Sequence, residues 1–304
     1  MHLRYGMNPH QAASFTPVGS PPFKVVAGEP SYINLLDALT GWQLVREAAR
    51  AFGVPAAASY KHVSPAGAAL GETVTAAYER ARDADPKSSY GDFVAVSHPV
   101  DLELAGVLKR VVSDGIIAPG YGEGVVEVLA AKKRGTYLVL EADPDFEPPA
   151  EEVREVYGVR LVQERDAIPL AVDQFDAAVP DGARQDLLLG MIVARYTQSN
   201  TVVMVKDGMA IGIGAGQQSR VDCTRLAGEK ALLWWSRRSA EPLTGVSMVS
   251  DGALPFTDNV EEAARFGVAH IAEPGGSIRS AEVAAACAEN NITWSPTGVR
   301  LFRH

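Results

Sequence analysis

Leu35, Leu39, Trp42, Val45 and Ala49 recur at the spacing of one helix face, and Gly53 stands where a cap would end it, so the pattern predicts a helix over about 34–52. The apolar run Val54–Tyr60 then reads as a short buried strand, leading into the polar cluster Lys61-His62-Val63-Ser64-Pro65-Ala66-Gly67. The alternation continues as a helix over 73–83, a strand over 93–97, a helix over 101–112, a strand over 115–118 and a helix over 122–133. Helices and short strands taking turns indicate an α/β fold. Open α/β sheets gather ligands at strand ends, which singles out the cluster after Tyr60.

Between about 141 and 165 acids and prolines accumulate, notably in Glu141–Glu152, and this stretch reads as a linker between two halves, 1–150 and 165–304. The second half opens with a helix over 182–195, in which Leu187, Met191 and Ala194 share a face. Thr201–Val205 and Ala210–Ile213 flank Lys206-Asp207-Gly208, a hairpin signal. Cys223, Leu226, Ala227, Ala231 and Trp234 make a helical stripe through 219–236, which places Cys223 in the core rather than at a reactive position. Two halves of similar size permit an internal duplication, although no repeat is visible in the residues themselves.

Composition narrows the function. Of the 304 residues 47% are hydrophobic and 21% charged, a globular balance unlike disordered, collagenous or coiled-coil chains. No apolar run reaches the roughly 18 residues of a membrane helix, and Met1–Gly6 lacks the apolar stretch of a signal peptide, so a cytoplasmic location is expected. The net charge of −9 argues against a broad nucleic-acid surface and leaves any anionic ligand to a local basic cluster. Cys223 and Cys287 have neither zinc-ligand spacing nor the number for a disulfide framework.

Several segments could carry chemistry. Lys61-His62 pairs a cation with the side chain that accepts protons near neutral pH, and both reach one ligand only if the backbone turns, as Pro65 and Gly67 suggest. By itself the dipeptide also fits a surface histidine beside a solvated lysine. The glycine-rich Ile211–Arg220 turn could bring backbone amides to a phosphate or planar ligand, but it lacks the dinucleotide spacing and equally fits a plain tight turn. Arg195–Asn200 ends a helix with a run of hydrogen-bonding side chains that could cap it or hold an amide. Arg4, Tyr5 and Arg300 lie in terminal segments that ordinarily fray. Asp258 or Asn259 could be the N-cap of a helix after Pro255-Phe256, and Pro274–Ser277 reads as a loop.

Together these segments resemble the formyltransferase part of the bifunctional purine-biosynthesis family, the aminoimidazole carboxamide ribonucleotide (AICAR) transformylases. The likeness rests on Leu3-Arg4-Tyr5-Gly6-Met7-Asn8-Pro9-His10-Gln11, Tyr60–Gly67, Ser88–Phe93, Val112–Gly120, Tyr196–Asn200, the turn over 212–220 and Arg300–His304, so it runs the length of the chain. It implies two cytidine-deaminase-like α/β/α subdomains without the deaminase zinc, in a homodimer whose subunits share active sites. It also implies that 10-formyltetrahydrofolate gives its formyl group to the 5-amino group of AICAR with no metal in the chemical step. The family's cyclohydrolase domain, which normally precedes this region, is expected to be absent.

By resemblance His62 is the base, Lys61 stabilises developing charge or helps protonate the departing folate nitrogen, and Asn200 holds the carboxamide side of the nucleotide. Arg4, Tyr5, Gly91, Asp114, Arg220 and Arg300 surround the nucleotide, with Arg4 and Arg300 at its phosphate. Val221, Asp258, Ser277 and Ile278 face the folate, and Pro255 and Phe256 form an apolar wall. A structural potassium ion is implied near Thr197, Ser199, Thr201 and Asp251. The chain departs from the family at Ala253-Leu254, where two aromatics are usual, at Tyr90 in place of phenylalanine and at Thr257 in place of arginine. A non-catalytic AICAR sensor is the alternative, and retention of Lys61, His62, Asn200 and Asp258 together argues against it. A formate ligase would need a phosphate-loop lysine motif, and a base-hydrolysing deaminase its zinc signature.

Overall fold

The computed structural model describes residues 1–304. A small ribbon of β1 (His2–Leu3) and β2 (Ala13–Ser14) precedes β3 (Phe23–Ala27) and the long helix α1 (Tyr32–Phe52). Ser31 and Asn34 cap α1 reciprocally, and Gly53 closes it at φ 69°. Then come β4 (Ala56–Lys61), β5 (Ser64–Leu70), α2 (Val74–Ala84), β6 (Asp92–Val96), α3 (Leu102–Arg110), β7 (Ser113–Ala118), α4 (Val125–Ala130) and β8 (Leu138–Ala142). The helix expected over 122–133 is shorter at both ends. Gly124 takes φ 76° where the helix would already be running, and Lys133 and Arg134 take positive φ where it would continue.

The linker expected over 141–165 contains a hairpin, β9 (Glu151–Val156) and β10 (Val159–Glu164). Two β-prone runs flank Tyr157-Gly158, both at positive φ, and this turn signal outweighs the acids and prolines before it. The second half follows as α5 (Asp181–Arg195), β11 (Thr201–Lys206), β12 (Met209–Ala215), α6 (Arg220–Ser236), β13 (Val246–Ser250), α7 (Asp258–Arg265), β14 (Val268–Glu273), α8 (Ser280–Glu289) and β15 (Thr293–Pro296).

Eleven strands make one mixed sheet in the order β15-β14-β13-β11-β12-β5-β4-β6-β7-β8-β3. Within it the halves repeat each other. In each, a helix leads into an antiparallel hairpin, the hairpin's first strand pairs antiparallel with the next strand, and two further strands add in parallel through helical crossovers. The repeats meet where β5 runs antiparallel to β12, with Ala69 opposite Met209, so they join through the same edge, related by a pseudo-two-fold axis. Equivalent glycines mark the repeat: a Cβ on Gly67 would lie 2.1 Å from the Ala81 carbonyl of α2, and one on Gly212 would lie 2.0 Å from the Ala227 carbonyl of α6.

Helices α1 and α5 cover one face of the sheet through Leu35, Trp42, Val45, Leu187 and Met191. The remaining helices cover the other through Tyr78, Leu104, Leu129, Cys223, Val260 and Val283. Cys223 and Cys287 are buried free thiols, and burial pushes them up to about 11 and about 12. No helix is long and apolar enough to cross a membrane.

Candidate active site

Strand β4 ends at Lys61 and β5 begins at Ser64, so His62 and Val63 alone form the turn, with φ of 55° and 59°. A two-residue turn in the left-handed region matches the twist of a hairpin, although a β-branched valine resists that conformation. Pro65 and Gly67, expected to make the bend, lie within β5 instead, where Gly67 is required by the close approach of α2. Asp37 of α1, only 7% exposed, accepts the Val63 N–H at 2.6 Å. Lys61 Nζ donates to the Tyr90 carbonyl at 2.5 Å, and the imidazole of His62 is exposed. Gly91 follows at φ 77°, where a Cβ would lie 3.9 Å from Lys61 Nζ. Asp114, at the start of β7, pairs with Lys133 at 2.6 Å. Lys61, His62, Ser64 and Ser88 line a cleft of about 330 Å³ together with Ala215 and Lys230 of the second half.

A second cluster forms around Arg220. Its Nη2 donates to Asn200 Oδ1 at 2.8 Å, and its Nη1 contacts Ser250 Oγ at 3.1 Å and the buried Asp251 carboxylate. Asn200 Nδ2 donates to the Gln217 and Gln218 carbonyls, both at 3.0 Å, so this amide holds the glycine-rich turn and keeps one Oδ1 lone pair free. Arg220 and Arg300 flank the Phe302 ring at 5.9 and 4.7 Å. The Leu301 N–H donates to the Asp251 carbonyl, and the Arg303 carbonyl accepts from Ser199, which orders the C-terminal segment. Arg4 stacks over Tyr5 at 4.9 Å, and this segment is pinned by bonds to Pro30 and Tyr32.

Val221 opens α6, and Asp258 opens α7 with Asn259 Nδ2 donating to it at 2.8 Å. Thr257, not Asp258 or Asn259, occupies the N-cap position. Leu254 is buried in the core while Pro255 and Phe256 are exposed, and Arg279 stacks on Phe256 at 5.0 Å. Ser277 Oγ donates to the Leu254 carbonyl at 3.2 Å, and Ile278 is fully exposed beside it.

Strand direction brings these groups to one edge of the sheet. The ends of β4, β12, β13 and β14 and the starts of β5, β6, β7 and β11 all open there. Lys61 and Asn200 lie three strands apart, roughly 14 Å at about 4.8 Å per strand.

Comparison with known proteins gives the family. The family model described as the AICARFT/IMPCHase bienzyme matches residues 1–230. The chain belongs to this family. Among curated relatives, the bifunctional purine biosynthesis protein PurH of Cereibacter sphaeroides, in two strains, is 40% identical over 316 aligned positions. PurH of Roseobacter denitrificans is 39% identical over 314. Each alignment takes in 99% of this chain and 59% of the relative, so the chain spans about three fifths of the length of the PurH proteins it matches.

Two carboxylates of the chain escape the sequence pattern. Asp37 reads as an ordinary acid of the second turn of α1, and only the fold reveals the Val63 N–H on it. Glu273, buried at the end of β14, accepts from Leu254 N at 3.2 Å, Gly275 N at 2.9 Å and Trp294 Nε1 at 2.9 Å, tying together the two loops that carry Phe256 and Ser277. Its placement directly before Pro274-Gly275 is the one available signal.

Proposed function

We propose that this chain is an AICAR formyltransferase of purine biosynthesis, taking 10-formyltetrahydrofolate as co-substrate. The observation that carries the reading is the Lys61–His62 turn, set on the same sheet edge as Gly91, Asp114, Asn200 and Arg220. The family membership and the PurH relatives support it.

The amine of AICAR is conjugated with its ring and carboxamide, so it attacks well only as it loses a proton. His62, exposed on the turn, takes that proton as the amine nitrogen bonds to the formyl carbon. The bond from that carbon to folate N10 then breaks as N10 takes a proton, the one His62 accepted, passed back directly or with the help of Lys61, leaving the formamido product and tetrahydrofolate. Lys61 stabilises the oxyanion formed between the two steps. Asn200 aligns the amine through its remaining Oδ1 lone pair while fixing Gln217 and Gln218. Arg4, Tyr5, Gly91, Asp114, Arg220 and Arg300 hold the nucleotide, and Val221, Pro255, Phe256, Asp258, Ser277 and Ile278 receive the folate.

Two cytidine-deaminase-like subdomains, 1–150 and 165–304, are the finer reading of the repeated topology. A homodimer with shared sites is supported by the β9–β10 hairpin, whose Val153, Val156, Val159, Leu161 and Val162 are each about half exposed with no core beneath them. Ser199 and Thr201 lie against Asp251, and each hydroxyl, like that of Thr197, donates its hydrogen within the chain, keeping lone pairs that suit a structural potassium ion.

The test is tetrahydrofolate release from purified protein given AICAR and 10-formyltetrahydrofolate, with His62→Ala as control. Turnover is expected to fall about 10²–10⁴-fold in the variant while the ribonucleotide still binds. Full activity in His62→Ala would remove the base from the mechanism.

A further inference from the structure

We propose that Asp37 is the positioning residue for His62: its carboxylate, reaching up from α1, holds the Val63 N–H and so fixes the turn that aims the imidazole. This rests on the formyltransferase reading for its effect on turnover, but the claim about the turn itself does not.

The geometry is local. The bond to Asp37 is 2.6 Å long, and its acceptor sits in a helix anchored at both ends by caps and packed on β4, β6 and β7. The turn has little else to hold it, because the Lys61–Ser64 pair closes the ladder below it and His62 is exposed. A two-residue turn carrying a valine at φ 59° needs support to stay in one conformation.

The internal repeat supplies an independent comparison. The equivalent turn in the second half is Asp207-Gly208, at φ 53° and 72°, and it too sits over a helix aspartate. Asp186 of α5 accepts from Asp207 N at 2.9 Å and from Gly208 N at 2.7 Å. Asp37 and Asp186 both stand sixth in their helices, α1 from Tyr32 and α5 from Asp181. The second turn is further clamped by Arg80, which donates to the Leu70 and Asp207 carbonyls. A carboxylate beneath the turn is therefore the fold's recurring way of holding this hairpin. In the first half it acts without an arginine clamp, on the turn that bears His62.

Burial raises the Asp37 carboxyl to about 6. Lys61 on β4 opposes that rise and Asp114 on β7 adds to it, while the buried Tyr60 hydroxyl of β4 also faces this acid. An ionised acceptor holds an N–H more strongly than a neutral one. The grip on Val63 therefore weakens as pH falls through about 6.

The experiment compares Asp37→Ala and Asp37→Asn, following tetrahydrofolate release across pH and hydrogen exchange of the peptide spanning Tyr60–Ala66. Displacing a catalytic group by an ångström costs up to about 100-fold, so Asp37→Ala is expected to lower kcat about 10- to 100-fold. The KM for AICAR should move less than about threefold, since uniform binding is untouched. Asp37→Asn keeps an oxygen acceptor, so it should recover most of kcat near neutral pH and lose part of the acid limb of the profile. Exchange at the turn should quicken in Asp37→Ala and stay near wild type in Asp37→Asn.

A folded Asp37→Ala with wild-type kcat and exchange overturns the proposal, as does an Asp37→Asn whose turn exchanges as fast as the alanine variant's. If Asp37→Ala does not fold, the exchange and pH profile of Asp37→Asn decide alone. If the wild-type protein releases no tetrahydrofolate, the formyltransferase reading fails, and the exchange data still settle what Asp37 does to the turn.

Discussion

Arg220 shows how much of the site depends on a single buried charge. Its guanidinium is almost fully enclosed, paired with Asp251 and bonded to Ser250 and Asn200, with Phe302 across its face. Replacing it with alanine leaves the Asp251 carboxylate buried without its partner, which typically costs about 3–5 kcal/mol. Arg220→Ala is therefore expected to lower the denaturant midpoint markedly as well as to weaken nucleotide binding, and equilibrium unfolding in urea measures the first effect directly. A change below about 1 kcal/mol would mean that water reaches Asp251 in the variant and replaces the lost pair. Lys61, His62, Asn200 and the two terminal arginines are candidates through the resemblance of the strings around them, since spacing alone leaves each open to a plain surface reading. Asp37 and Glu273 could not be named from the residues, because what they contact is remote in sequence: Asp37 meets Val63, and Glu273 meets Leu254 and Trp294.

Among the elements, the β9–β10 hairpin stands apart, since neither strand joins the main sheet. An isolated two-stranded ribbon is marginal in water, and this one exposes apolar side chains on both faces. Covered by a second copy of the chain, it would gain the burial it lacks. The double variant Val153→Asp/Leu161→Asp is expected to shift the protein from dimer to monomer in analytical ultracentrifugation, with turnover lost alongside if the sites are shared. An unchanged dimer would place the interface elsewhere. The helices and central strands were legible from periodicity because each has one buried stripe or is buried throughout. The hairpin was hidden for the opposite reason: with no buried face in the isolated chain, its residues do not alternate in a way that separates it from a linker. Helix α4 is shorter than its hydrophobic spacing predicts because positive φ at Gly124, Lys133 and Arg134 decides where it ends.

For the whole molecule, the apparent division into halves disguises a shared interior. One sheet crosses the junction of the two halves at β5 and β12, and each hydrophobic layer draws residues from both halves. Neither half can open without exposing core belonging to the other. Scanning calorimetry is therefore expected to show one cooperative transition, with calorimetric and van't Hoff enthalpies in agreement. Two resolved transitions would mean that the β5–β12 junction parts before either core melts.

The edge-to-edge repeat also bears on how such a chain can change over evolutionary time. A unit built twice contains each device twice, and antiparallel joining sends the two hairpin turns to opposite edges of the sheet. Once one edge handles substrates, the other is released from chemistry and its turn can drift toward whatever holds the fold best. The contrast between the two turns has that form: an exposed histidine before a strained valine on one side, and on the other an aspartate before a glycine, locked by Asp186 and Arg80. The second copy thus carries the stiffer form of one device, two N–H bonds to its aspartate and an arginine clamp, where the first carries a single bond beneath a valine.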